Sequence, residues 1–423
     1  MVMHPRKRQL PCTQISRFNE VKNAGIFSAR LLTINNPGDA EHELLRIKVD
    51  PTGIAMMSPK MLGRSVHVSG LSCGQANILK QEMLSLGGDV AVARGTVTCS
   101  IANTDAILIG TDRQLQKLCH KLGRQPFGLP LLAAEIEALQ ANATAAPKAW
   151  KTSRRELSLS RPLIMGILNV TPDSFSGGRY FLDPQSAVDR AREMAAQGAD
   201  IIDIGGESTR PGAGLVDTAE ELKRLMPVIE RLVGVLPCPI SVDTWKSSVA
   251  CKAVEAGAEI INDISGFTFD PEMAEVAAQS GAGSILMHTR GKPADMQADT
   301  CYDDMMGHII NSLRQSVNIA LKAGVQPERI AIDPGFGFAK DTKGNLEILR
   351  RLREIAWLGF PVVAGTSRKS FIGKVLEKDA DERIFGTAAT VALAIANGAS
   401  ILRVHDVAEM RDVADMTHAV VSG

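Results

Sequence analysis

No two cysteines of this chain form a CxxC pair. The seven, Cys12, Cys73, Cys99, Cys119, Cys238, Cys251 and Cys301, are scattered and odd in number. That pattern argues against a disulfide framework and a zinc site, and fits reduced thiols in a cytoplasmic protein. Net charge is also lacking: 47 basic residues meet 47 acidic ones, which excludes a dominant nucleic-acid binder. The chain is mildly basic up to residue 150 (17 against 11) and mildly acidic beyond it (30 against 36), too little to call for a polyanion partner. The basic start, Met1 to Pro11, has no apolar core of the kind a secretory signal carries. No apolar run is long enough for a bilayer. Thr387 to Ala396 supplies roughly half of the ~20 residues a span needs and reads as a buried helix. What is present is an ordinary globular balance, 45% apolar and 22% charged, in 423 residues, too many for one ordinary domain.

The first 25 or so residues show no periodicity and read as a loose tail or first strand. Up to about Leu139 the pattern is mixed α/β. Leu79, Met83 and Leu86 fall on one helix face ahead of a Gly87-Gly88 stop; Leu115, Leu118 and Leu122 mark a second helix, and Leu132, Ile136 and Leu139 a third. Val90–Val92 and Ala106–Ile109 read as short strands. The small, polar stretch Gln140–Lys148 (QANATAAPK) is the expected linker. We therefore expect an N-terminal mixed α/β domain over 1–147 and a second domain over 148–423.

The second part opens with an alternating ELSLS strand or hairpin. Then eight apolar runs follow, each ending in polar residues: LIMGIL before Asn169, ADIIDIG around Asp203, PISVD at Asp243, EIIND at Asn262 and Asp263, SILMH at His288, RIAIDPG at Asp333, PVVAGTS before Arg368-Lys369, and SILRVHD at Arg403 and His405. Helical signals fill the gaps: an Asp183-Pro184 start, a Thr218-x-x-Glu221 capping box, and glycine stops at Gly198, Gly257 and Gly281. Residues 163–423 suit eight βα units of a (β/α)8 TIM barrel. Strands apolar on both faces fit a parallel sheet covered by helices. A doubly wound open sheet would gather its functional residues at one switch point, whereas here every strand end is polar, as a barrel rim requires.

Several of these ends can carry chemistry. Asn169 offers an amide oxygen to a hard cation such as Mg²⁺, or simply makes an Asx turn. Thr209 and Arg210, in a loop bounded by Gly205-Gly206 and Pro211-Gly212, could meet an anion or carboxylate; a solvated loop arginine is the plain alternative. Asp243, Asn262 and Asp333 would point into one cup. A carboxylate there can accept two parallel N–H bonds from a 2-aminopyrimidinone edge. Capping of the next helix is the competing role, and it suits Asp243 better than Asp333. Gly365-Thr-Ser-Arg-Lys369-Ser370 and Arg403-Val-His405 follow the seventh and eighth strands, where barrels of this kind bind phosphate. Basic groups there could stabilise a departing polyphosphate, unless they pair with neighbours such as Asp406. His288 reads as structural and Met287 as a packing surface under a ligand.

The ordered string GILNVTPDSF, DIGGESTRPG, SVDT, INDISG, LMH, DPGFGF, GTSRKSFIG and RVHDV resembles dihydropteroate synthases over roughly residues 155–423. The resemblance implies a (β/α)8 enzyme, usually a homodimer, that joins 6-hydroxymethyl-7,8-dihydropterin diphosphate to 4-aminobenzoate with loss of pyrophosphate. It implies that Asn169 binds Mg²⁺, and that Asp243, Asn262, Asp333 and Lys369 hold the pterin, with Met287, Phe338 and Gly365 also among the substrate-binding residues. It implies that Arg403 and His405, with Asn169 and Thr209, hold the diphosphate. Phe175, Thr209, Pro211, Lys369 and Ser370 then shape the aminobenzoate site, where sulfonamides compete, and Arg210 counts among the substrate-binding residues. Lys369, Asp333, Arg403 and His405 are the residues it marks as catalytic. Two departures stand out: the loop Ser174–Gly178 lacks the aspartate of the family's SFSDGG, and Gly344-Asn345 replaces a His-Asn. The front part is similar to an extra N-terminal domain of some longer bacterial members, with a structural or dimer-supporting role expected. A pterin-binding methyltransferase shares the barrel and the pterin-edge acids but does not need the SRKS and RVH segments. A silent scaffold barrel would have lost its polar strand ends.

Overall fold

The computed structural model describes residues 29–171, 184–208 and 214–422. The chain forms two compact units, Met1–Ala134 and Glu135–Gly423. In the first, helices α1 (Pro37–Arg46) and α2 (Pro51–Met61) precede β1 (Gly63–Ser72), α3 (Cys73–Leu84), β2 (Asp89–Val92), β3 (Asn103–Thr111) and α4 (Asp112–Leu122). Asn36 and Asp50 cap the first two helices, and full capping boxes, Ser72 with Gln75 and Thr111 with Gln114, start α3 and α4. The strands pair antiparallel in the order β1-β3-β2. Leu79, Met83, Leu108, Leu115, Leu118 and Leu122 are fully buried beside them. Helix α5 (Leu129–Thr144) runs across the division between the units. The alanines at the front of the QANATAAPK stretch extend this helix, since alanine is the strongest helix former; only 145–148 lie outside helix and strand.

The second unit opens with a hairpin, β4 (Ala149–Lys151) against β5 (Glu156–Ser158). Eight βα units follow: β6 (Leu163–Asn169) and α6 (Pro184–Ala196), β7 (Ile201–Gly205) and α7 (Thr218–Leu232), β8 (Ile240–Asp243) and α8 (Ser247–Ala256), β9 (Ile260–Asp263) and α9 (Met273–Ser280). Then come β10 (Gly283–Met287) and α10 (Met305–Ala323), β11 (Ile330–Asp333) and α11 (Thr342–Ala356), β12 (Val363–Ala364) with α12 (Ser370–Leu376) and α13 (Ile384–Ala396), and β13 (Ile401–Val404) with α14 (Val407–Ser422). All eight expected strands form. They lie parallel in the order β11-β10-β9-β8-β7-β6-β13-β12, and a bridge between Ile332 and Val362 closes the ring. This is a (β/α)8 barrel.

The floor of the barrel is apolar. Trp150 of the hairpin is fully buried among Leu163, Met165, Ile201, Ile260, Ile285, Ala331, Val363 and Ile401, one or two from each of seven strands. Its indole N–H donates to the Arg329 carbonyl at 3.0 Å. The outward strand residues, such as Ile164, Ile202, Val242, Ile261, Leu286, Ile332 and Leu402, pack under the helices.

Three local expectations need correction. The cap of α7 is Asp217, whose Oδ1 accepts the Glu220 N–H at 2.8 Å, and Glu221 is instead buried in an ion pair with Lys246. So no Thr218–Glu221 capping box forms. Asp243 does not cap α8 either; that helix takes a hydrogen bond from its Ser247 N–H to Asp270 at 2.8 Å. Helix α13 is buried on one face only, since Phe385 and Leu393 are exposed. The Asp183 start lies outside the described residues.

Candidate active site

Strand alternation sends every second residue to the barrel interior. The residues that seal the floor fix the phase, so the next inward positions up the strands are Asp203, Asp243, Asn262, Met287, Asp333 and Arg403, with Asn169 at the end of β6. The upper interior is therefore charged where the lower is apolar.

Arg403 organises one side of it. Its Nε donates to Asp203 at 2.7 Å and its Nη2 to Asp243 at 2.5 Å. The Asn262 amide donates to the same Asp203 carboxylate at 3.2 Å. Burial opposes the Arg403 charge, but the two carboxylates more than offset it and hold its pKa above the usual arginine value. Burial lifts Asp243 to about 7, against the pull of Arg403. It lifts Asp333 too, against the Gly335 N–H and the charges of Lys369, Arg403 and Lys340. Lys369 lies over the Phe338 ring, 4.5 Å from its centroid, and burial with Arg403 nearby lowers its pKa to about 8.

The loop after β11 needs its glycines. Gly335 has φ +71°, and a Cβ on it would stand 2.0 Å from the His288 carbonyl; its N–H donates to Asp333 Oδ1 at 2.7 Å. Gly337, at φ +80°, would bring a Cβ to 3.2 Å from the Lys369 side chain. Met287 and Phe338 line the same space with Ile264, Met296 and Ala339 as an apolar wall. A flat ring could lie on that wall with its polar edge towards Asp333.

Across the rim, the His405 imidazole Nδ1 is 3.1 Å from Ser367 Oγ. Burial and the neighbouring Arg403 depress its pKa to about 3, so it is neutral and offers a hydrogen bond rather than a charge. Arg368, not Arg403, pairs with Asp406. Ser370, at the start of α12, is exposed, and Gly365 has room for a Cβ 3.9 Å from Arg403. Asn169 Oδ1 lies 3.4 Å from where a Cβ on Gly205 would stand. It is one hard oxygen donor, and among the described residues no group of three or more His, Cys, Asp or Glu forms a metal cage. That donor set fits a Mg²⁺ that takes its other ligands from substrate phosphates and water. Phe175, Thr209, Arg210 and Pro211 lie outside the described residues.

The family profile described as pterin binding enzyme matches residues 165–405. A dihydropteroate synthase of Synechocystis sp. is 50% identical over 261 residues, 62% of this chain and 90% of that protein. The chain belongs to the dihydropteroate synthase family. A Yersinia pestis dihydropteroate synthase structure with a sulfonamide drug complex superposes with TM-score 0.63 at 40% identity, covering 65% of this chain and all of that one. A Xanthomonas albilineans dihydropteroate synthase bound to 4-aminobenzoic acid gives 0.62 at 42%, over 65% and 99%. Likeness reaches beyond the barrel in a probable bifunctional folylpolyglutamate synthase/dihydropteroate synthase of Halobacterium salinarum. It is 44% identical over 377 residues, 89% of this chain but 45% of that protein.

Against this dihydropteroate synthase frame, three groups carry more than their sequence signal foretold. Asp203 is fully buried between Arg403 and Asn262; its position two residues before the end of an inward-phased strand was the available cue. Lys246 joins Glu207 (2.7 Å), Glu221 (2.5 Å) and the Val216 carbonyl (2.7 Å), linking β7, α7 and β8 connections far apart in sequence. Lys340, in the FAKD run, gives no cue at all.

Proposed function

We propose that the chain is a transferase of folate synthesis: it condenses 6-hydroxymethyl-7,8-dihydropterin diphosphate with 4-aminobenzoate to give 7,8-dihydropteroate and pyrophosphate. The single observation that carries this reading is the convergence of Asp333, Lys369, Asp243 and Arg403 on one rim beside the apolar wall of Met287 and Phe338. Asp333 accepts the paired N–H groups of the amino-pyrimidinone edge, and Asn262 and Asp243 face the rest of the ring. Lys369 approaches the oxo side, and the ring lies against Met287 and Phe338.

Chemistry then follows from charge placement. The methylene C–O bond breaks with its electron pair going to pyrophosphate. Arg403 spends two of its five N–H donors on Asp203 and Asp243, and the rest serve the leaving anion. Neutral His405 adds a hydrogen bond, and Asn169 would hold Mg²⁺, which supplies further charge neutralisation when bound. The conjugated pterin stabilises the resulting cation. The aryl amine, already neutral at ordinary pH, attacks with its lone pair and afterwards releases a proton to solvent. No strong general base is needed, and positioning with electrostatic stabilisation provides the acceleration. Phe175, Thr209, Arg210, Pro211 and Ser370 bound the aminobenzoate, a surface that a sulfonamide would also occupy.

The full chain with Mg²⁺, the dihydropterin diphosphate and labelled 4-aminobenzoate is expected to form labelled dihydropteroate, with sulfonamides competing against aminobenzoate. Absence of product together with methyl transfer to a corrinoid would favour the methyltransferase. We take the active form to be a cytoplasmic homodimer; light scattering of the full chain tests the dimer.

A further inference from the structure

Lys340 lies beneath the loop that follows β11 and has no part in the chemistry above. Its ammonium is buried and uses all three donors: the Gly335 carbonyl at 3.0 Å, the Phe338 carbonyl at 2.8 Å and His288 Nδ1 at 2.9 Å. The rest of the loop is tied just as completely. The Gly337 N–H donates to Asn345 at 2.7 Å, Gln297 donates to the Gly337 carbonyl at 2.6 Å, and the Tyr302 hydroxyl to the Ala339 carbonyl at 3.1 Å. Two of the peptides Lys340 grips matter for the rim. Gly335 holds the Asp333 carboxylate through its N–H, and Phe338 carries Lys369 on its ring.

This arrangement has two costs. A buried ammonium gives up its hydration. And because Nδ1 of His288 accepts from an ammonium, the ring proton sits on Nε2, which is buried with no partner. An uncharged side chain could satisfy two carbonyls without either cost. What it could not supply is positive charge on the underside of Asp333. Burial lowers the Lys340 pKa to about 7; Asp333 favours its charge and Lys369 and Arg290 oppose it, with the rings of His288 and His308 packed edge to face alongside.

We propose that Lys340 is a positioning residue for pterin recognition, fixing the Asp333 carboxylate and the Phe338–Lys369 stack in one arrangement before ligand arrives and stabilising that carboxylate by its charge. The proposal rests on Asp333 being the acid that reads the pterin edge.

The test is equilibrium binding of 6-hydroxymethylpterin to the full chain as wild type, Lys340→Gln, Asp333→Asn and the double variant. Expected losses are about tenfold for Lys340→Gln and about a hundredfold for Asp333→Asn, with the double variant within about twofold of Asp333→Asn alone, since residues that act as a unit are not additive. A loss through general loosening would instead add in full to that of Asp333→Asn, and would overturn the proposal. So would wild-type affinity in Lys340→Gln. Should Lys340→Gln fail to fold, Gln297→Ala removes an exposed tie to the same loop; a loss of about threefold that vanishes on the Asp333→Asn background supports the proposal, and unchanged affinity overturns it. A wild-type chain that binds no pterin overturns both this inference and the proposed function, whereas pterin binding that ignores Lys340 overturns this inference alone.

Discussion

The two ends of the barrel interior are made from the same strands and do opposite things. At the floor, Trp150 and a ring of Ile, Leu, Met and Val exclude water completely. At the rim, two residues further along four of those strands, Asp203, Asn262, Asp333 and Arg403 stand with Asp243 of β8; the three acids and Asn262 are buried as well and Arg403 is half-buried, but all are polar. The floor gains free energy from every apolar contact. The rim gains little net stability from its ion pairs, because desolvation offsets their attraction. Burial at the floor is therefore for folding, and burial at the rim is for holding charge ready in a low-dielectric place.

The sharpest way to break this comparison is to truncate each end in turn. Asp333→Ala or Lys369→Ala should lower turnover by about a thousandfold or more while leaving the melting temperature near wild type, measured by steady-state rate and calorimetry on the same sample. Trp150→Ala should do the reverse. It should cost about 3–5 kcal/mol in denaturant unfolding, with kcat/KM of the remaining folded protein close to wild type. Activity loss at the floor with stability intact would reverse the assignment.

Acidity sharpens it further. Lys369, brought to about 8 by burial, is charged below that pH and neutral above it. The kcat/KM for the pterin substrate should thus fall by about tenfold per unit as pH rises past 8, and Lys369→Met should lose this limb along with most activity. The smallest effect belongs to His405, which is neutral in the free protein. His405→Gln keeps a hydrogen-bond donor and should lose no more than about tenfold in kcat.

The same comparison explains what was legible in the sequence. Eight apolar runs with polar ends announce a barrel, since the run, the turn and the helix start are all local. Asn169, Asp243, Asn262, Asp333, Lys369 and Arg403 were readable because they sit at strand ends within ordered motifs. The Arg403 bridge to Asp203 and Asp243 was not, because it joins residues 200 and 160 positions apart. The Trp150 plug was hidden for a like reason: a lone tryptophan in a short hairpin shows no periodicity, and only closure of the ring gives it a cavity to fill. In the first unit, α3, α4 and β3 follow clear patterns, whereas β1, reading GRSVHVSGLS, offers little apolar alternation and gains its strand from pairing with β3. The Thr218–Glu221 box failed because Asp217, one residue earlier, is the better-placed cap and Glu221 has a stronger partner in Lys246.

The most direct measurement is a crystal structure of the full chain soaked with 6-hydroxymethylpterin. The bicyclic ring should lie on Met287 and Phe338 with its amino-pyrimidinone edge against Asp333, Lys369 beside its oxo group and its hydroxymethyl arm directed to Arg403 and His405. A ring bound away from Asp333, or with that edge turned to solvent, would contradict the account.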